Sequence, residues 1–293
     1  MKTRTTILLT LVASGAIAAL IGLAVVFGGL YDVSAARQHT QPVYSLLETA
    51  MRQAVRLRAR DIEVPALDDT AMITRGAACF RDKCVQCHGA PGVAQGDIGK
   101  SMQPLPGPLV DARQRWLPRE LYWVTRHGIK MSGMPAWEFR LADEDLWALV
   151  AFMNRLPQLS PQEFAAMTQS PAHSAAWQQG AKSAPAAVQG CGPSRSTLPR
   201  AGDIERGQQA LYQYACNACH TIPGVTGSSP GVGPPLAGMA GRRTVGGRLD
   251  NTPENMVRWL RHTREIDPLT AMPEMGVTEQ DARDIAAYLG TLD

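Results

Sequence analysis

The pattern C-x-x-C-H occurs twice in this chain, as Cys84, Cys87 and His88 and again as Cys216, Cys219 and His220. Two thiols three positions apart can form thioethers to the two vinyl groups on one porphyrin edge. The histidine that follows then lies under the iron as its proximal ligand. Six cysteines and six histidines in 293 residues are too few for two such pentapeptides to arise from composition alone. The motifs therefore predict two covalently bound haem c groups. Zinc ribbons also pair C-x-x-C units, but at separations of about 15–20 residues, whereas these lie far apart in sequence. A dithiol redox pair would need a βαβ setting, and the sequence offers none.

The motifs sit in a diverged internal repeat. Arg75 and Gly76 lead to Cys84, while Arg206 and Gly207 lead to Cys216 with one more residue between. Phe80 and Tyr212 each stand four residues before the first cysteine. Downstream, LWALVAFMNRL (146–156) aligns with ARDIAAYLGTL (282–292), matching Phe152 to Tyr288 and Leu156 to Leu292. Each block thus opens with a helix leading into its cysteines and closes with an amphipathic helix. Asp69 or Thr70, and Asp203, suit the N-cap positions. No alternating strand pattern appears, so both domains are predicted to be all-α. Residues 66–160 and 203–293 form the two blocks, and 161–202, rich in Ala, Ser, Pro, Gly and Gln, reads as a linker.

The N-terminus adds an uncharged apolar run from about Thr6 to Leu30, behind Lys2 and Arg4. At a rise of about 1.5 Å per residue it can cross a hydrocarbon core of about 30 Å. Residues 1–30 are therefore expected to be a retained anchor. The alternative is a cleaved signal, for which Val33, Ser34 and Ala35 would serve. Arginines after the span leave orientation undecided by charge. Haem of this type is attached outside the membrane, which places both blocks in the periplasm as parts of a single-pass inner-membrane protein. Residues 31–65 include a second helix, Thr40 to Arg60, with an apolar stripe and arginines opposite. It suits either a membrane surface or partner, or a spacer packed on the first domain. A net charge of +3 argues against nucleic acid as a partner.

Each iron needs a sixth ligand. HGIKMSGMPAW follows the first motif and AMPEM the second, so a Met-Pro pair recurs in both blocks. That repeat favours Met134 and Met272 as axial thioethers. Met131, His127 and Met275 are the fallbacks.

With these features in place, the chain resembles membrane-anchored dihaem cytochromes c, built from two class I cytochrome c domains in tandem behind one N-terminal transmembrane helix. Subunits of this kind accompany periplasmic dehydrogenases and haem–copper oxidases. In the resembled family a Gly-Pro-x-Leu segment sets a backbone carbonyl on the proximal imidazole. Gly233, Pro234, Pro235 and Leu236 match it, which implies Pro234 as the acceptor for His220. The first domain offers Pro106, Gly107, Pro108 and Leu109, out of register by one, and its acceptor stays unassigned. The resemblance also implies that Arg242, Arg243 and Trp259 face haem propionates; the alternative is two solvated arginines and a core tryptophan. Cys79 and Cys191 are left over, and export leaves both a disulfide and two free thiols open.

His/Met ligation fills both axial positions, leaving one-electron transfer as the available chemistry. The expected role is a non-catalytic carrier in a respiratory chain, relaying electrons between a quinol-oxidising complex or dehydrogenase and a terminal oxidase. A cytochrome subunit of an alcohol or aldehyde dehydrogenase is the alternative, and a dihaem peroxidase the rival enzyme.

Overall fold

A computed structural model describes residues 2–168, 191, 200–228 and 231–293. The chain divides into two compact units, residues 1–194 and 195–293. Most of the predicted linker, 169–190 and 192–199, lies outside the described residues.

The first unit begins with α1 (Lys2–Phe27), whose 26 residues extend about 39 Å. The helix is long and apolar enough to cross a bilayer, and none of its residues 3–27 is buried. Next comes α2 (Gln41–Ala59), which opens on a proline in its first turn and buries Val55 and Ala59. The first domain proper contains α3 (Thr70–Lys83), α4 (Val85–His88), α5 (Asp97–Lys100), α6 (Ala112–Arg115), α7 (Pro118–His127), α8 (Asp143–Arg155) and α9 (Pro161–Thr168). Helix α2 packs on α7.

The crossing of α3 and α8 organises this domain. Gly76 has no side chain because the α8 backbone lies where one would go: a Cβ there would fall 1.9 Å from the carbonyl oxygen of Ala148. That approach brings Phe80 against Phe152, with ring centroids 5.3 Å apart, and buries Leu146 and Leu149. Asp69 caps α3 by accepting from the amides of Ala71 and Met72. Phe164 of α9 completes the aromatic cluster, set edge-on to Phe80 with ring centroids 6.3 Å apart. Composition assigned this helix to the linker, but one buried phenylalanine holds it in the first domain. Cys79, also on α3, forms a disulfide with Cys191, so that point of the linker is covalently fastened to the same helix.

The second unit repeats the plan with α10 (Ile204–Gln213), α11 (Pro253–Arg261), α12 (Thr263–Ile266) and α13 (Glu279–Leu289). Asp203 caps α10 through the amide of Arg206. Here Gly207 is the crossing point, where a Cβ would lie 1.9 Å from the carbonyl oxygen of Asp284. The extra residue before Cys216 is absorbed at Ala215, which takes a left-handed conformation with φ 53°. Since it falls after the helix, positions must be counted from the glycine. The partner of fully buried Phe80 is then Leu211, 1% exposed, and the sequence pairing with Tyr212 fails because Tyr212 is 54% exposed. One short antiparallel ladder, β1 (Thr244–Val245) with β2 (Leu249–Asp250), interrupts the otherwise helical fold. It is two residues long in each strand, too brief for an alternating pattern to register.

Candidate functional site

In both units the C-x-x-C-H residues form a single tight turn at the end of the helix leading in. The amide of His88 donates to the carbonyl of Cys84 at 2.9 Å, and that of His220 donates to Cys216 at 2.9 Å. The amides of Cys87 and Cys219 reach the same two carbonyls at 3.1 and 3.2 Å. The first turn is α-helical, while the second is a tighter 3-10 turn over Cys216–Ala218. This closure puts both thiols and the imidazole of each motif on one short piece of backbone. None of the four motif cysteines pairs in a disulfide. Burial, with Cys87 nearby, pushes the Cys84 thiol up to about 12; burial likewise pushes Cys216 up to about 11.

Each imidazole is oriented by a backbone carbonyl. Nδ1 of His220 lies 2.8 Å from the oxygen of Pro234, the contact expected from the Gly-Pro-Pro-Leu segment. Nδ1 of His88 lies 2.7 Å from the oxygen of Gly107. Gly107 was not assigned from sequence because Pro106 and Gly107 stand in the reverse order to Gly233 and Pro234. Counting back two residues from Leu109 and from Leu236 finds both acceptors, so the leucine is the marker that holds register. The same count uncovers a second repeat. Arg115, six residues after Leu109, donates to the carbonyl of Pro108 at 2.9 Å, and Arg242, six after Leu236, donates to that of Pro235. Arg115 was missed for want of that register.

Such a carbonyl fixes the ring and leaves Nε2 as the nitrogen for a metal. Burial holds the His88 imidazole below the ordinary histidine value, opposed by the Gly107 hydrogen bond and assisted by nearby Arg115. A neutral ring is what ligation requires. A cleft of about 430 Å³ opens beside His88, walled by Val93, Leu105 and the Pro106–Val110 segment. In the second unit Gly233 lies flat on the ring: a Cβ there would come within 2.7 Å of the His220 imidazole. Paired thiols, a carbonyl-fixed imidazole and an apolar wall together fit a thioether-linked haem.

The methionine loops also repeat. Met134 is half-buried, and its amide lies 3.2 Å from Oγ of Ser132; Met272 is half-buried, with its amide 3.2 Å from Oγ1 of Thr270. The Met134 carbonyl accepts from the amide of Ile129 at 3.1 Å, and the Met272 carbonyl from the Thr263 hydroxyl at 3.2 Å. Met272 packs on the core of its domain. The fallbacks are differently placed. Met131 is 99% exposed, Met275 is exposed, and His127 turns to Glu138, with Nδ1 3.2 Å from Oε1. Trp259 is buried in the second core against Gly246. Arg243 is exposed, whereas Arg242 is tied to the carbonyls of Pro235 and Ala237 beside the proximal loop.

Comparison with known proteins agrees with this arrangement. Cytochrome c oxidase subunit 2 of Alkalihalophilus pseudofirmus is 30% identical over 88 residues, which is 30% of this chain. The chain spans 25% of that protein's length. The family described as cytochrome c oxidase, cbb3-type, subunit III, matches residues 71–153 and 202–289. Those stretches take in both halves of the repeat and more than half of the sequence, so the chain belongs to the cbb3-type cytochrome c oxidase subunit III family.

Proposed function

We propose that the protein is a membrane-anchored dihaem cytochrome c that relays single electrons towards a terminal oxidase. Family membership carries the coarser statement: cytochrome c domains with covalent haem c, acting as electron carriers in a haem–copper oxidase setting. The duplicated proximal geometry supports the finer one, with imidazole–carbonyl contacts of 2.7 and 2.8 Å in the two units. Two equivalent sites imply two equivalent centres.

In this reading Cys84 and Cys87, and Cys216 and Cys219, hold the groups covalently. His88 and His220 would supply the proximal ligands, and Met134 and Met272 the distal ones. Haem c bound in this way supplies a reversible one-electron couple, raised in potential by thioether ligation. The Gly107 and Pro234 carbonyls hold the imidazoles in one tautomer and orientation. Arg115 and Arg242 pin the proximal loops and keep a fixed positive charge near each site. With a histidine and a methionine both committed to the iron, no position would be left for peroxide, which would limit the chain to passing electrons. Helix α1 tethers the units to the inner membrane with both on the periplasmic side. The domain limits we propose are 66–168 and 203–293.

A pyridine haemochrome assay on the purified full chain should give two haems per polypeptide, and one would overturn the reading. Peroxide added to the half-reduced protein should turn over no faster than the uncatalysed background; rapid turnover would make it a peroxidase.

A further inference from the structure

A second cleft, of about 500 Å³, has no motif residue in its lining and shares only Arg115 with the proximal loop. It is lined by Arg56 of α2 and by Arg113, Arg115, Trp116, Arg119 and Glu120 around the α6–α7 turn. Four arginines and one glutamate thus line it; Asp111 outside the lining pairs with Arg115, and the glutamate is already engaged. One Glu120 oxygen accepts the amide of Leu117 at 2.8 Å, and the other lies 4.0 Å from Arg56. Arg115 is held by Asp111 and the Pro108 carbonyl, while Arg113 makes a single long bond of 3.3 Å to the Asn154 carbonyl. Each guanidinium carries five N–H donors, so most of those in the cleft remain available. Arg52 stacks over Trp116 at 4.9 Å, with its charge taken up by Glu48 at 2.6 Å, and so closes the rim without adding to the charge of the cleft.

Helix α2 supplies the other half of the argument. Val55 and Ala59 face the domain, but Leu46 and Leu57, three turns apart on the opposite face, are 70% and 59% exposed. Leu57 adjoins the cleft arginine Arg56 in sequence. Only residues 28–40 separate α2 from α1, a reach of at most about 45 Å.

We propose that this cleft binds the phosphate of an anionic phospholipid, with the exposed leucine face of α2 lying along the acyl chains. Arginine recognises phosphate through paired N–H donors. Basic pockets close to a membrane segment gain further from the negative surface potential of the bilayer. The lipid would hold the first domain at a set height and orientation on the membrane, a role apart from the electron carriage proposed above.

The test is native mass spectrometry of the detergent-purified holoprotein, titrated in turn with phosphatidylglycerol, phosphatidylcholine and inorganic phosphate. It does not depend on whether α1 spans the bilayer. The wild type should retain one phosphatidylglycerol in preference to phosphatidylcholine. R113Q/R119Q should bind it about 30-fold more weakly, as expected for two arginines near the surface. R113K/R119K should recover most of the affinity, and R258Q/R264Q, which removes equal charge elsewhere, should have no effect. Equal retention by wild type and R113Q/R119Q would overturn the proposal. Inorganic phosphate binding as tightly as the lipid would also overturn it, by making the cleft a site for a free anion. So would a shifted midpoint potential with unchanged lipid binding, which would give these arginines to the haem propionates.

Discussion

Substituting Gly76 by alanine sets two effects of opposite sign against each other. In a helix interior alanine is favoured over glycine by about 1 kcal/mol. If α3 merely ran near α8, G76A would raise the melting temperature of the first domain by about 4–8 °C. The structure predicts the reverse. The new Cβ would sit 1.9 Å from the Ala148 oxygen and 2.8 Å from the Phe152 Cβ, where separations below 3.0 Å are essentially never seen. The helices must part by about 1 Å. A gap of that size forfeits a quarter to a half of the dispersion energy of the contacts it opens, here those of Phe80, Leu149 and Phe152. Overpacking of this kind costs about 3 kcal/mol, leaving a net loss of about 2 kcal/mol and a fall of about 8–16 °C. Calorimetry of the holoprotein should resolve one transition per domain, with G76A lowering one and G207A, blocked by the Asp284 carbonyl, lowering the other. An unchanged or raised transition in G76A would refute the crossing.

Further outcomes follow from the sites. M134A and M272A should each remove part of the methionine–iron absorption band and lower the potential of one centre, as redox titration would read; loss of the whole band from a single variant would contradict independent ligation. G233A should push the His220 ring off the Pro234 carbonyl, reduce the basicity of the ligand and raise the potential of the second centre alone. Reducing the Cys79–Cys191 bond, or making C191S, should destabilise the first transition by up to about 4–5 kcal/mol, given a sequence separation of 112. The second transition should stay where it is.

Much of this was legible in the chain because cofactor attachment demands fixed spacing. The C-x-x-C-H turns, the helix caps at Asp69 and Asp203 and the closing helices each depend on residues close in sequence. What escaped depended on distant contacts. Pairing Phe80 with Tyr212 counts from the cysteines, and the left-handed Ala215 that shifts them has no marker in composition. Helix α9 belongs to the first domain through Phe164, which packs on Phe152 of the preceding long helix and on distant Phe80. The Gly107 acceptor was hidden by an exchange of Gly and Pro, residues that a motif search treats as its anchors although the carbonyl, not the side chain, performs the task.

On the function proposed above, that exchange bears on how the two centres relax when their charge changes. Gly107 and Pro234 present their oxygens at nearly the same distance, but from backbones of opposite character. Although Pro108 restricts its ψ, Gly107 keeps a wide range of φ, whereas Pro234 has φ locked near −65°. A hydrogen bond to a moving imidazole can be followed by the first and must be stretched by the second. The second centre would then change oxidation state with less rearrangement of its surroundings and the first with more. Two sites alike in their ligands would differ in the activation barrier each sets to an arriving electron.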